Sequence, residues 1–111
     1  MQSSGCSAEG LEPFALRVIG DSMSPEFEDG HVIVVDPGYP LVNGAFAVID
    51  IEGEILFAQY FRRGARQWLQ YLNPTHELRE LSAPFRVKGV VTQRNSRRRK
   101  DTKHYDYPMM P

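Results

Sequence analysis

A chain of 111 residues with 41% hydrophobic content and a net charge of −1 is one domain by length, with apolar material for a modest core. No run approaches a membrane span, and residues 1–13 lack the charged-then-apolar pattern of a secretory leader, so no membrane partner and a cytoplasmic location are expected. The single cysteine, Cys6, excludes an internal disulfide and has no Cys or His at ligand spacing, so no metal and no other cofactor is expected.

Residues 1–12 are small and polar and read as a flexible arm carrying Cys6, whose alternative is an intermolecular or redox-sensing role. The domain proper is expected over 13–93. Phe14 to Ile19 alternates as a strand, and a single helical turn is predicted around Ser24 to Glu28, with Pro25 at its first position behind a serine cap. His31 to Val35 is a β-branched run between Asp29-Gly30 and Asp36-Pro37-Gly38, and Ala45 to Ile51 is a second apolar run. Glu52-Gly53 reads as a tight turn, with Ile55 to Phe61 as the returning strand, and Arg63-Gly64 makes a further turn before Gln67 to Leu72. Asn73-Pro74 ends that strand, and Phe85 to Thr92 closes the domain, with Gly89 as a bulge or close-approach point. Many short, turn-bounded strands predict an all-β fold, a small barrel or sandwich.

Residues 94–111 form a basic tail with six Lys/Arg against two Asp, a charge of +4 that leaves −5 on the rest. Arg97, Arg98, Arg99 and Lys100 are candidate polyanion contacts; the alternatives are a solvated terminus, or a tail folded back on the acidic body through Tyr105 and Tyr107.

The chemistry-bearing stretch is Val18-Ile19-Gly20-Asp21-Ser22-Met23-Ser24-Pro25. Gly20 supplies the positive φ of a sharp reversal and Asp21 tolerates turn geometry, which displays the Ser22 hydroxyl at the end of a strand. Taken alone, such a turn is more often only a turn. With Asp29-Gly30, the strand ending at Asp36, Asn43-Gly44, Asn73-Pro74 and Val87-Lys88-Gly89-Val90-Val91 in the same order, the chain resembles the LexA, UmuD and phage-repressor C-terminal domains, a family of self-cleaving serine peptidases. The resemblance runs from about Phe14 to Thr92. It implies a strongly bent, mostly antiparallel β fold, a role in transcription regulation and the SOS response, a homodimer formed through the closing strand, and a regulatory protein as partner. It also marks Ser22 as nucleophile, with Gly20, Asp21 and Met23 supporting the turn and oxyanion site.

Serine needs a base, and the family uses a lysine held neutral by burial, four residues past the hairpin's second acidic residue. Counting from Glu54, that position is Ala58. The lysines present are Lys88, Lys100 and Lys103, none in the hairpin strand, and Arg62 and Arg63 stay protonated. His31 and His76 are bases by chemistry, yet neither occupies the marked position. Two origins fit Ala58, natural degeneracy or an introduced lysine-to-alanine replacement; Gln59-Tyr60, which also departs from the family's basic residue, favours the first. Neither Ala-Gly nor Cys-Gly, the bonds cut in self-cleaving relatives, occurs, and no helix-turn-helix is expected ahead of the domain. The expected function is a catalytically impaired dimerisation or regulatory module. The alternatives are an active serine peptidase with its base elsewhere, on Lys88 or a histidine, and a nucleic-acid-associated β-barrel using Trp68, Tyr71 and Arg97 to Lys100.

Overall fold

The computed structural model describes residues 12–96 and 102–107. These contain strands and turns and no helix. The strands are β1 (Phe14–Arg17), β2 (Val32–Asp36), β3 (Phe46–Ile51), β4 (Glu54–Arg63), β5 (Arg66–Gln70), β6 (Arg79–Glu80), β7 (Arg86–Asn95) and β8 (Lys103–His104). They form one antiparallel sheet in the order β1-β2-β7-β3-β4-β5-β6, with β8 on β7. The fold class is all-β, as the strand signals predict.

Local sequence accounts for the hairpins. Glu52 and Gly53 both have positive φ, 52° and 93°, the geometry a two-residue turn needs to match strand twist, and Asp50 Oδ1 accepts the Gly53 amide at 2.8 Å. The register pairs Ala47 with Ala58 and Val48 with Phe57, so these two pairs point to opposite faces. Both faces are covered. Val48 joins Val18, Met23, Phe27, Ile33, Val35 and Val91 in one buried cluster, while Ala47 and Ala58 join Ile49, Ile51, Tyr60 and Leu69 in another. This two-sided burial explains why Ala45 to Ile51 reads as a continuous apolar run.

Strand β7 carries two bulges. Val48 pairs with Gly89 and Ile49 with Val87, which leaves Lys88 as the extra residue; Val34 pairs with Gln93 and Val35 with Val91, which leaves Thr92. Gly89 is a close-approach point as expected: a Cβ there would stand 2.6 Å from Val35 Cγ1 and 2.9 Å from the Asp36 carbonyl carbon.

Several expectations need correcting. The segment Ser24 to Glu28 is a set of turns behind a cis Ser24–Pro25 bond, with one helical-type bond from Phe27 N to Met23 O at 2.9 Å. The closing strand lies inside the sheet between β2 and β3 and has no free edge of the kind that invites pairing with a second copy. The strand continues to Asn95, and residues 102–107 fold back on the body, the alternative raised by Tyr105 and Tyr107. The rings decide this. Tyr105 lies 5.4 Å from Phe27 and 5.6 Å from Phe46, Tyr107 lies 5.7 Å from Tyr39, and burying such area outweighs leaving the segment in water. Cys6 and Arg97, Arg98, Arg99 and Lys100 lie outside the described residues.

Candidate active site

The Ser22 turn is fixed from below and from both ends. Met23 and Phe27 are fully buried, with Phe27 edge-on to Phe46 at 4.9 Å and to Phe57 at 5.0 Å, so the loop after β1 is anchored in the core. Val18 N donates to His31 O and Gly30 N to Val18 O, both at 2.8 Å, which ties the start of the loop to its end. Gly20 adopts φ 89°, and its amide donates to Asp29 Oδ1 at 2.7 Å. Gly20 therefore shapes the turn, and its N–H is already committed to Asp29 instead of an oxyanion. The Asp29-Gly30 pair of the motif thus has a physical role as the acceptor and return point of this loop.

A second loop clamps the turn. Asn73 N donates to Ser22 O and Asn73 Nδ2 to Asp21 O, each at 3.0 Å. Asn73 Oδ1 accepts from Thr75 N and Oγ1, and His76 N donates to Asn73 O at 3.1 Å, closing the loop on itself. His76 Nε2 then lies 3.1 Å from Asp21 Oδ1. The sequence marks Asn73-Pro74 as a strand end and His76 as a base by chemistry away from the marked position; what joins both to the serine turn is contact across more than fifty residues.

Ser22 and His76 line one groove of about 600 Å³ with Leu16, Val18 and Ile19 on one wall and Ile55, Leu56 and Phe57 of β4 on the other. Ile19 and Ile55, 84% and 52% exposed, form an apolar rim. Tyr71 also lines the groove, and burial pushes its phenol above the ordinary tyrosine range, so it stays neutral there. Ser22 thus shares the groove with Ile55, Leu56 and Phe57 of the strand that carries Ala58. Ala58 itself is fully buried in the cluster with Ala47 and Leu69 and does not line the groove; Tyr71 packs on that cluster and reaches the groove from it.

The other bases are elsewhere. His31 Nδ1 accepts the Glu28 amide at 3.0 Å within its own turn, and Lys88 is the exposed bulge residue of β7. Neither lines the groove. The Asn43-Gly44 motif braces β4: Gln59 Nε2 donates to Gly44 O at 2.9 Å, and Arg62 N donates to Asn43 Oδ1 at 3.0 Å. Trp68 stacks on Phe61 at 5.8 Å with Arg66 over its ring at 5.0 Å, so its faces are engaged within the chain, and Tyr71 belongs to the groove. Among the described residues no group of three or more His, Cys, Asp or Glu could hold a metal, and no helix is long and apolar enough to cross a membrane.

A family model described as peptidase S24-like matches residues 3–92, most of the chain and all of the serine turn, the groove strands and the closing strand up to Thr92. The chain belongs to the peptidase S24-like family. Similar proteins include the HTH-type transcriptional regulator for conjugative element SXT of Vibrio cholerae, 37% identical over 87 residues that make up 72% of this chain and 40% of that protein. The repressor protein C2 of Salmonella phage P22 is 33% identical over 86 residues, again 72% of this chain and 40% of that protein. The prophage repressor CohE of Escherichia coli K12 is 40% identical over 63 residues, 55% of this chain and 28% of that protein. The chain spans well under half the length of the curated relatives it matches.

Proposed function

We propose that this S24-like domain is a regulatory module of the repressor type in which lysine-assisted self-cleavage is lost. The observation that carries the reading is Ala58. The resemblance puts the family's base at this position, on a strand whose Ile55, Leu56 and Phe57 line the Ser22 groove, and Ala58 lies in the buried cluster with Ala47, Ile49, Tyr60 and Leu69. No amine lines the Ser22 groove among the described residues, and its one arginine, Arg17, cannot accept a proton at neutral pH. The names of the relatives, regulators and repressors of mobile elements, support the regulatory half of the reading.

Self-association belongs to the same proposal. With no free edge on β7, it would use the outward side chains of that strand, where Val87 is 40% exposed. The test of lost self-cleavage is the intact mass of the chain after prolonged incubation at alkaline pH. A single undiminished species is expected. Two complementary fragments that disappear in Ser22→Ala would contradict the reading.

A further inference from the structure

The lysine position and the imidazole in the groove are independent features, and the second carries chemistry of its own. From the clamp between the two loops we infer that His76 is a substitute general base for Ser22, held by Asp21. The inference rests on the reading that the lysine route is lost, and concerns what remains of the site without it.

Three contacts bind the His76 loop to the Ser22 turn: Asn73 N to Ser22 O, Asn73 Nδ2 to Asp21 O, and His76 Nε2 to Asp21 Oδ1. A carboxylate can only accept, so Nε2 carries the proton in that last bond and the neutral ring keeps the lone pair of Nδ1 free. The ring lies tilted at 53° to that of Tyr71, with centroids 5.8 Å apart, which limits how it can turn. Among the described residues the Ser22 hydroxyl has no hydrogen-bond partner of its own, so it is available to a base in the groove. A serine, an imidazole and a carboxylate that orients the imidazole form the arrangement that activates hydroxyl nucleophiles on unrelated folds. Here the serine and the carboxylate are neighbours in sequence, and the histidine comes from the loop after β5.

The step balances without any further reagent than water. As Ser22 Oγ bonds to an acyl carbon of a peptide, its proton passes to His76 Nδ1; the C–N bond then breaks and the same proton leaves on the amine. Water then gives a proton to Nδ1 as its oxygen bonds to the acyl carbon; the bond from that carbon to Ser22 Oγ breaks, and the proton returns from Nδ1 to Oγ. With a fluorophosphonate the O–P bond forms, fluoride leaves, and the proton stays on the ring. The ionisable groups facing His76 are Asp21 and Tyr71, and the groove adds Arg17 and Glu77.

The experiment is the rate of Ser22 labelling by a fluorophosphonate, read by intact mass, for the unaltered chain, Ser22→Ala, His76→Gln, His76→Ala and Asp21→Asn. Slow labelling above the Ser22→Ala background is expected. His76→Gln should lower it by on the order of 10²-fold, the low end of what a general base contributes. Free imidazole should restore labelling to His76→Ala, which a merely structural histidine would not allow, and melting curves of both variants report whether the fold persists. Labelling of the unaltered chain that His76→Gln leaves unchanged, or no labelling above background, would overturn the assignment. In the second case Ala58→Lys tells the two readings apart: labelling gained there leaves the lost-lysine reading standing while His76 falls.

Discussion

The backbone amide of Asn73 donates to the carbonyl of Ser22 at 3.0 Å, and the Asn73 side chain reaches the carbonyl of Asp21 at the same distance. One residue thereby holds the serine turn from outside while Met23 and Phe27 hold it from inside. Asn73→Ala keeps the amide bond but leaves the Asp21 carbonyl and the Thr75 donors without their partner. A loss of about 1–3 kcal/mol is expected, read as a lower melting temperature by differential scanning calorimetry. An unchanged melting temperature would show that the clamp is incidental.

Gly89 makes a prediction of the opposite kind, about space instead of hydrogen bonds. Its missing Cβ would meet Val35 and the backbone of Asp36 at 2.6 Å and 2.9 Å, and backbone gives way poorly. Gly89→Ala should destabilise the domain by about 1–3 kcal/mol through overpacking, since β7 must then move away from β2. At Gly20 a Cβ meets nothing within 4 Å, so Gly20→Ala there is limited to the strain of φ 89°. Chemical denaturation of the two variants side by side checks the order.

The C-terminal segment contributes to stability. Tyr105 OH donates to Glu26 Oε2 at 2.6 Å, Lys103 Nζ donates to the same oxygen at 2.6 Å, and Tyr107 OH donates to Val91 O at 2.7 Å. Deleting residues 102–111 uncovers Phe27 and Phe46 as well as removing these bonds. Tyr105→Ala should cost about 2–4 kcal/mol, enough to lower the melting temperature by roughly 10 °C or more in a domain of this size. A truncated chain that melts with the intact one would contradict the packing of this segment.

The same contacts set a pH window. Burial raises the Glu26 carboxyl, but hydrogen bonds from Lys103 and Tyr105 and the nearby Lys103 and Arg94 charges outweigh it and hold the group below its ordinary value. A depressed carboxylate stabilises the fold above its unfolded pKa, and that stability is lost as the pH falls through the folded value. Tyr105 and Tyr107 are raised, first by burial; for Tyr105 the Glu26 contact adds to it. Their contribution is complete below the unfolded tyrosine value, about 10, and is lost as the pH rises beyond it. Thermal melts should therefore fall off on both sides, and Tyr105→Phe should flatten the alkaline limb. A limb unchanged by Tyr105→Phe would assign it to other groups.

The fold was legible in the sequence because its strands are β-branched runs bounded by Gly, Pro and Asp, and the Glu52-Gly53 turn and the Gly89 approach are local signals. The serine turn was legible for the same reason. What stayed hidden was long-range. Tyr105 and Tyr107 follow a basic run and read as tail, and only the ring contacts with Phe27, Phe46 and Tyr39 turn them into core. The place of the closing strand inside the sheet is set by its register on β2 and β3, which no local signal carries. His76 and Asn73 join the site through bonds to Asp21 and Ser22, which no periodicity encodes.

The most direct test of the account compares Ser22 labelling in two chains that both lack the groove imidazole, His76→Gln and the double variant Ala58→Lys, His76→Gln. Lysine enters a buried apolar cluster, so the double variant should be less stable by about 1–3 kcal/mol. That same burial is what keeps an amine neutral and able to accept the serine proton. Labelling should rise by on the order of 10² to 10⁴, the range of a restored general base. A folded double variant whose Ser22 labels no faster than that of His76→Gln would show that position 58 is not the vacated site of the base.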